Sequence, residues 1–147
     1  MGTTLNCLLF VGDQVYIAHI GDSRTYLYFK GQMWQLTLDH NIKVYGERGW
    51  LPKDSTLDTA KSGALVRALG LADQCEVDIY EKTLRPGELL LTCSDGLTAM
   101  VSDRRITAIM KESEHNPEQL PGLLIQEANR NGGKDNTTVV ISQIVES

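Results

Sequence analysis

The sequence predicts an α+β fold, in which antiparallel sheet is covered on one face by two carboxy-terminal helices. Short runs of apolar and β-branched residues, separated by glycine-containing turns, fill most of the chain before residue 95. Beyond that residue the apolar side chains recur at helical spacing. Because each of these helices has a single apolar face, we expect both of them to pack on a sheet.

Four strands in a meander are predicted within residues 4–37. The first two runs are separated only by Gly12-Asp13, a dipeptide typical of a tight hairpin turn. The amino-terminal part is therefore expected to fold as consecutive antiparallel strands. They cover residues 5–11, 14–20, 25–29 and 33–37.

The segment 38–63 contains few apolar residues and predicts a surface excursion between strands. A weak helix is expected to begin at Asp39-His40-Asn41 and to end at Gly46 or Gly49. A second short helix is expected over residues 53–60.

Strand patterning returns at residues 64–69 and 75–84. Arg85-Pro86-Gly87-Glu88 follows, in which proline presets φ and glycine supplies the positive φ of a type II turn. We expect this turn to join the preceding strand to the apolar strand 89–93 as a hairpin.

The carboxy-terminal part predicts two helices and a last strand over residues 137–145. Ser102 is placed to cap the first helix, which is expected to run for about three turns. Asn116-Pro117 begins the second, and Pro121 predicts a late start or a bend there. Asn131-Gly132-Gly133 ends it. Apolar side chains on one face of each helix predict the contact with the sheet: Ile106, Ile109 and Met110 in the first, and Leu120, Leu123, Leu124 and Ala128 in the second.

Composition indicates one domain over residues 1–147, since this length can bury a sizeable core. The net charge of −5, from 14 basic and 19 acidic residues, argues against nucleic acid or an anionic membrane as a partner. Cys7, Cys75 and Cys93 are scattered in apolar runs and predict reduced core residues of a cytoplasmic protein. No apolar run reaches membrane-spanning length.

Three aspartates, Asp22, Asp95 and Asp135, each stand at the junction of an apolar strand and a glycine turn. Hard cations such as Mg²⁺ or Mn²⁺ prefer carboxylate oxygens, and strand ends from distant parts of a chain can converge on one ion. The simpler alternative is a set of turns with solvated aspartates. Gly12-Asp13 is such a turn and appears purely structural, so both interpretations stay open on the residues alone.

The joint pattern of short motifs resembles the metal-dependent type 2C serine/threonine protein phosphatases, most closely their bacterial branch. The resemblance extends over nearly all 147 residues, in the order and spacing of that family. Its motifs are Met1-Gly2-Thr3-Thr4, Gly21-Asp22-Ser23-Arg24, Leu36-Thr37-Leu38-Asp39-His40, Arg67-Ala68-Leu69-Gly70, Arg85-Pro86-Gly87, Ser94-Asp95-Gly96-Leu97 and Gly132-Gly133-Lys134-Asp135-Asn136-Thr137-Thr138.

This resemblance implies a sandwich of two antiparallel sheets flanked by helices, with two to three Mg²⁺ or Mn²⁺ ions at one end. By motif, Asp95 and Asp135 match ligands of one core metal, and Asp22 matches a ligand of a third, weaker metal. Asn136 is expected to orient Asp135, and Gly96 lies beside the ligands. Residues 41–63 match a mobile flap beside the cleft. No catalytic residue beyond the metal ligands is implied.

The chain departs from the family because the motifs of the amino-terminal part of the domain are absent. They include the aspartate that bridges two metals, so fewer ions or weaker binding is expected here. The resemblance implies metal-dependent hydrolysis of phosphoserine and phosphothreonine in proteins, with weak or no activity for this chain alone. The alternative is a non-catalytic remnant that binds a partner. Strand edges left unpaired predict self-association into a homo-oligomer.

Overall fold

A computed structural model describes residues 1–52 and 63–146 of the chain. In this part, two antiparallel sheets stack on each other and two longer helices cover one of them. The strands are β1 (Leu5–Val11), β2 (Gln14–Ile20), β3 (Arg24–Phe29), β4 (Gln32–Gln35), β5 (Asp78–Thr83), β6 (Leu89–Cys93) and β7 (Val139–Gln143). The helices are α1 (Ile42–Glu47), α2 (Asp95–Thr98), α3 (Asp103–Glu112) and α4 (Leu120–Arg130), with a 3₁₀ turn at Pro117–Gln119. The predicted α+β sandwich is confirmed, whereas the helix expected over 53–60 lies outside the described residues.

The seven strands divide into a three-stranded sheet with the order β1-β2-β5 and a four-stranded sheet with the order β4-β3-β6-β7. The hairpin at Gly12-Asp13 is confirmed, since Val11 pairs with Gln14 across it. The single meander predicted for residues 4–37 is wrong, because β3 pairs with β4 and β6 instead of β2. Gly21, with φ of +107°, takes the chain from one sheet to the other between β2 and β3.

The turn at Arg85-Pro86-Gly87-Glu88 forms as predicted but does not make a hairpin. The Glu88 N–H donates to the Arg85 carbonyl at 3.1 Å, and Gly87 has φ of +88°. However, β5 belongs to the three-stranded sheet and β6 to the four-stranded sheet. The turn therefore carries the chain between the two layers.

The strand predicted over 64–69 is also wrong. This segment makes only two isolated bridges, from Leu65 to Asn41 and from Leu69 to Thr3. Its apolar residues gave it a strand-like pattern, but its backbone hydrogen bonds go to single residues of separate segments. The strand expected over 75–84 is present in shortened form as β5.

Two apolar layers fill the molecule. Between the sheets lie buried side chains of alternate strand positions: Val15 and Ile17 of β2, Leu27 of β3, Leu84, and Leu90 of β6. The neighbouring positions of β3 and β6 point to the opposite face and pack beneath the helices: Tyr26, Tyr28, Leu89, Leu91 and Cys93. The four-stranded sheet is therefore covered on both faces, which explains why β6 is apolar at nearly every position.

The helices that cover this sheet agree with the predictions. Ser102 caps α3 by accepting a hydrogen bond from the Arg105 N–H at 3.3 Å. Pro121 lies in the first turn of α4, which begins only after the preceding 3₁₀ turn. Every residue predicted to face the sheet is buried or packed against the core: Ile106, Ile109, Met110, Leu120, Leu123, Leu124 and Ala128.

The cysteine prediction is only partly correct. All three cysteines are free, but Cys7 and Cys75 are exposed and only Cys93 is buried. Cys7 alternates with the inward positions of β1 and pairs with Ala18 on the outer face of the three-stranded sheet. Across the described residues, none of the helices has the length and apolar character needed to cross a membrane.

Candidate metal centre at one end of the four-stranded sheet

The start of β3, the end of β6 and the start of β7 meet at one end of the four-stranded sheet. In the antiparallel ladders Arg24 lies opposite Cys93, and Cys93 lies opposite Val139. Beyond this ladder the chain leads to Asp22 on one side and to Asp95, the first residue of α2, on the other, and the negative charge of Asp95 acts on Asp22. The loop that contains Asp135 reaches the same end immediately before β7. The three predicted carboxylates therefore stand at one end of three neighbouring strands.

A close backbone contact fixes the loop before β7 against the start of α2. A Cβ atom added to Gly96 would lie 2.3 Å from the carbonyl oxygen of Asn136. Such a distance is far below van der Waals contact, so this position accepts only glycine in the present arrangement. The absence of a side chain at Gly96 thus lets the segments that carry Asp95 and Asp135 approach each other.

Ser94 joins the same two segments by hydrogen bonds. Its backbone N–H donates to the carbonyl of Thr138 at 3.1 Å, and its Oγ accepts from the Thr138 N–H at 3.0 Å. Its hydroxyl also donates to the Asn136 carbonyl at 3.3 Å. These bonds extend the β6–β7 pairing beyond the regular strands, up to the two aspartates.

Asn136 contacts Asp135 through its backbone. The backbone N–H of Asn136 donates to Asp135 Oδ1 at 2.7 Å, so the bond that orients this carboxylate comes from the main chain. Asp95 and Asp135 are both exposed, whereas Asp22 is half-buried. The site is therefore an open rim with one partly desolvated carboxylate.

The ionised form of the Asp22 carboxyl is disfavoured in the folded chain. Burial, first, and then the negative charges of Asp95 and Asp39 raise the pKa of Asp22 to about 6. A cation bound between Asp22 and Asp95 would relieve both effects, so the donor chemistry fits Mg²⁺ or Mn²⁺. Within residues 1–52 and 63–146, however, no three acidic, histidine or cysteine side chains converge into a complete metal-binding group.

A buried polar cluster, which the sequence predictions did not include as site residues, lies behind this rim. Its members are Arg24, Asp39, His40, Arg67 and Asp78, and Asp39 and His40 are almost fully buried. The sequence signal was present in the Asp39-His40 and Arg67 motifs, but their partners are remote in the chain. The cluster ties the segment after β4 to the turn that carries Asp22.

The other two histidines differ in burial. His19 is fully buried, and its Nε2 lies 2.8 Å from the Leu38 carbonyl. His115 is exposed beyond the end of α3. Asp13, in the hairpin turn, is exposed, and its carbonyl accepts a bond from the Leu84 N–H at 2.7 Å.

The chain is similar in sequence and in structure to known phosphatases. A family model for protein phosphatase 2C matches residues 1–49. The serine/threonine phosphatase stp of Listeria innocua is 37% identical over 142 residues, covering 96% of this chain and 56% of the Listeria protein. The solved structure of the Mycobacterium tuberculosis phosphatase PstP/Ppp has a TM-score of 0.85 at 33% identity, covering 99% of this chain and 61% of that one. Over nearly its whole length the chain is similar to the protein phosphatase 2C family.

The chain spans about half the length of its Listeria relative and matches a carboxy-terminal part of the bacterial phosphatases. The Streptococcus agalactiae serine/threonine phosphatase gives the same picture, with a TM-score of 0.85 and coverage of 99% of this chain and 60% of that one. A further structure, the catalytic domain of PstP in complex with two manganese ions, has a TM-score of 0.76 at 35% identity. Metal dependence is thus a property of the family.

Adding a methyl group at Gly96 should separate the two halves of the site. We expect Gly96→Ala to lower the free energy of unfolding by about 2 kcal/mol, because backbone must shift to admit the Cβ. Gly122→Ala is the matched control: it lies in α4, and its added Cβ meets nothing within 4 Å. That variant should gain about 0.5–1 kcal/mol from helix propensity. Urea unfolding measures both, and an unchanged stability of Gly96→Ala would contradict the contact.

The raised pKa of Asp22 predicts a pH-dependent effect of Asp22→Asn. Between the unfolded pKa of about 3.9 and the folded pKa of about 6 the folded chain binds more protons, so stability falls as the pH rises through this range. Removing the charge should raise Tm by about 3 °C at pH 7.5, on the order of 1 kcal/mol after allowing for solvent screening. The gain should shrink towards zero as the pH falls from 6 to about 4.

Thermal unfolding in metal-free buffer across this pH range measures the effect. Asp13→Asn, in the exposed hairpin turn, is the control and should change Tm little at any pH. An Asp22→Asn effect of the same size at pH 4 and pH 7.5 would show that the ionised carboxylate is not under strain in the fold.

Proposed function

We propose that this chain contributes Asp22, Asp95 and Asp135 to a metal-dependent site that hydrolyses phosphoserine and phosphothreonine in proteins. The observation that supports it most directly is that the segments carrying these carboxylates lie at the same end of β3, β6 and β7, where burial and the charge of Asp95 raise the pKa of Asp22. The relatives support it through their names, which describe serine/threonine phosphatases. A phosphoprotein is therefore the proposed substrate.

In this proposal Asp95 and Asp135 would hold one Mg²⁺ or Mn²⁺ ion, and Asp22 would hold a second, weaker ion together with Asp95. Such an ion supplies Lewis-acid chemistry, which offsets charge on a phosphate and lowers the pKa of water. The chain's own part is structural: Gly96 and Ser94 bring Asp95 and Asp135 together, and the Asn136 N–H orients Asp135. Binding should be weak, because the described carboxylates do not complete a coordination sphere.

Residues 41–63 are proposed to act as a flap beside this rim, within a single domain over 1–147. The described part of the flap begins with α1, which Asn41 caps by accepting from the Val44 N–H at 3.0 Å. The Tyr45 and Trp50 rings pack edge to face with centroids 5.4 Å apart. A cytoplasmic location, and the exclusion of nucleic acid and membrane partners, stay predictions from the cysteine usage and charge balance.

Weak Mn²⁺ binding and near-background turnover are the expected results for the isolated chain. Calorimetric titration with Mn²⁺ should show binding that Asp95→Asn and Asp135→Asn each weaken, because each variant removes a proposed ligand. Turnover of a phosphopeptide with Mn²⁺ should stay close to the uncatalysed rate, since the charge stabilisation of a complete site is missing.

The matched control for both assays is Asp13→Asn, which alters a glycine–aspartate turn remote from the rim and should leave Mn²⁺ affinity unchanged. Tight binding that survives both Asp95→Asn and Asp135→Asn would place the metal elsewhere. Metal-dependent turnover at the rate of an ordinary phosphatase, lost in Asp95→Asn, would show that this chain is a complete enzyme. Mn²⁺-independent binding of a phosphopeptide would favour the non-catalytic binding module instead.

We also propose that the chain self-associates by antiparallel pairing of β1 with β1 of a second copy. β1 is an edge strand of seven residues without charge, proline or glycine. Pairing centred on Leu8 places Leu5 opposite Val11 and Cys7 opposite Leu9, so no like charges meet. The other edge of that sheet, β5, carries Asp78, Glu81 and Lys82, the kind of protection that β1 lacks.

The outer face of the three-stranded sheet supports the same proposal. Leu9 and Ile79 are 59% and 66% exposed, and Tyr16, the cross-strand partner of Leu9, is exposed beside them. The corresponding outer face of the four-stranded sheet is covered by α3 and α4. An apolar sheet face continuous with an unprotected edge is typical of an interface.

Light scattering behind a sizing column should therefore show a dimer at micromolar concentration, and Leu9→Lys should shift it towards monomer. Val140→Lys is the matched control, since Val140 is similarly exposed on β7, an edge strand of the four-stranded sheet. A monomeric wild-type chain with β1 amides protected from hydrogen exchange would contradict the proposal. Dissociation by Val140→Lys alone would move the interface to β7.

A further inference from the structure

We propose that Asp39 and His40 form a positioning pair that holds the turn carrying Asp22 in place for metal binding. The inference rests on the proposed function, because it assigns these two residues a role towards the same carboxylate. Neither residue is proposed to touch the metal or the substrate.

The first part of the argument is the turn itself. Gly21 has φ of +107°, and a Cβ added to it would lie 2.3 Å from Thr4 Cγ2. The turn connects β2 of one sheet to β3 of the other, so no ladder hydrogen bonds run through it. Its conformation must therefore be held by contacts from elsewhere in the chain.

His40 supplies two of these contacts. Its N–H donates to the Gly21 carbonyl at 2.8 Å, and its Nδ1 accepts from the Gly21 N–H at 3.1 Å. The backbone N–H and the carbonyl of Gly21, the residue before Asp22, are thus both hydrogen-bonded to His40. Because His40 is fully buried, these bonds are shielded from competition by water.

Asp78 and Arg67 hold the other side of the His40 ring. Its Nε2 lies 3.0 Å from Asp78 Oδ2 and 2.7 Å from Arg67 Nη2. Arg67 Nη1 and Nη2 each donate to Asp78 Oδ1 at 3.0 Å and hold that carboxylate in place. Burial, first, and the nearby Arg67 charge lower the pKa of His40, which keeps the ring neutral.

Asp39 holds the other side of the turn. Arg24 Nε donates to Asp39 Oδ1 at 2.8 Å and Arg24 Nη2 to Asp39 Oδ2 at 2.7 Å, a two-bond pair with a buried carboxylate. Gly21 and Arg24 lie on either side of Asp22. His40 bonds to Gly21 and Asp39 bonds to Arg24, so two consecutive residues hold both sides of the turn. The half-buried carboxylate is thereby kept facing Asp95, which repels it.

The test is a double-mutant cycle on the full chain, read out as Mg²⁺ affinity from amide chemical shifts in an NMR titration. His40→Leu removes the bond to the Gly21 N–H and should weaken Mg²⁺ binding about tenfold, the usual size for loss of a group that orients a ligand. In an Asp22→Asn background the same change should have no further effect. His40→Asn, whose side-chain oxygen can accept from Gly21, should bind within about threefold of wild type.

Glu88→Ala separates positioning from general loss of stability. Glu88 is also buried and accepts from a backbone N–H, that of Arg85 at 2.9 Å, but it lies at the opposite end of β6. This variant should be less stable and should keep wild-type Mg²⁺ affinity. If His40→Leu does not fold, Asp39→Asn, which loosens Arg24, carries the same test.

Two results would overturn the inference. One is a Mg²⁺ affinity of the folded His40→Leu or Asp39→Asn variant within twofold of wild type while Asp95→Asn weakens binding; the metal site would then stand without the positioning pair. The other is an equal loss of affinity in the wild-type and Asp22→Asn backgrounds. Failure of the proposed function itself looks different, because Asp95→Asn would then leave Mg²⁺ affinity unchanged.

Discussion

The pairing of β3 with β6 is the constraint on which the rest of this structure depends. It aligns Arg24 with Cys93 and so brings the segments that carry Asp22 and Asp95 to the same end of the sheet, although the two aspartates are far apart in the chain. The same pairing makes β6 a central strand, covered by the second sheet on one side and by α3 and α4 on the other. A slip of one residue would exchange these two faces, so the apolar core and the position of the carboxylates are determined together.

Asp22 and Asp95 carry like charges, and backbone contacts hold the segments around them in place. Gly96 admits the Asn136 carbonyl, Ser94 bonds to Thr138, and His40 bonds to Gly21. None of these contacts neutralises the carboxylates, which is why the pKa of Asp22 stays raised. A site organised by backbone contacts while its charges remain uncompensated is suited to a cation.

The two sheets differ in how far the described residues cover them. The four-stranded sheet is buried on both faces, whereas the three-stranded sheet leaves Leu9 and Ile79 exposed on its outer face. The chain spans 56% of its Listeria relative and 61% of the mycobacterial structure. An apolar sheet face of this kind favours association with further protein surface.

The sequence by itself determined the local features of this protein, because their causes are local. Turn residues placed the hairpin at Gly12-Asp13, Ser102 marked the start of α3, and the apolar spacing identified the face of each helix. The motif pattern gave the family and brought out the three aspartates. Tertiary structure decided which sheet each strand joins: a type II turn at Arg85–Glu88 has the same dihedral angles in a hairpin and in a crossing between layers. It also decided the exposure of Cys7 and the burial of Asp39 and His40, since burial depends on partners that lie many residues away in the chain.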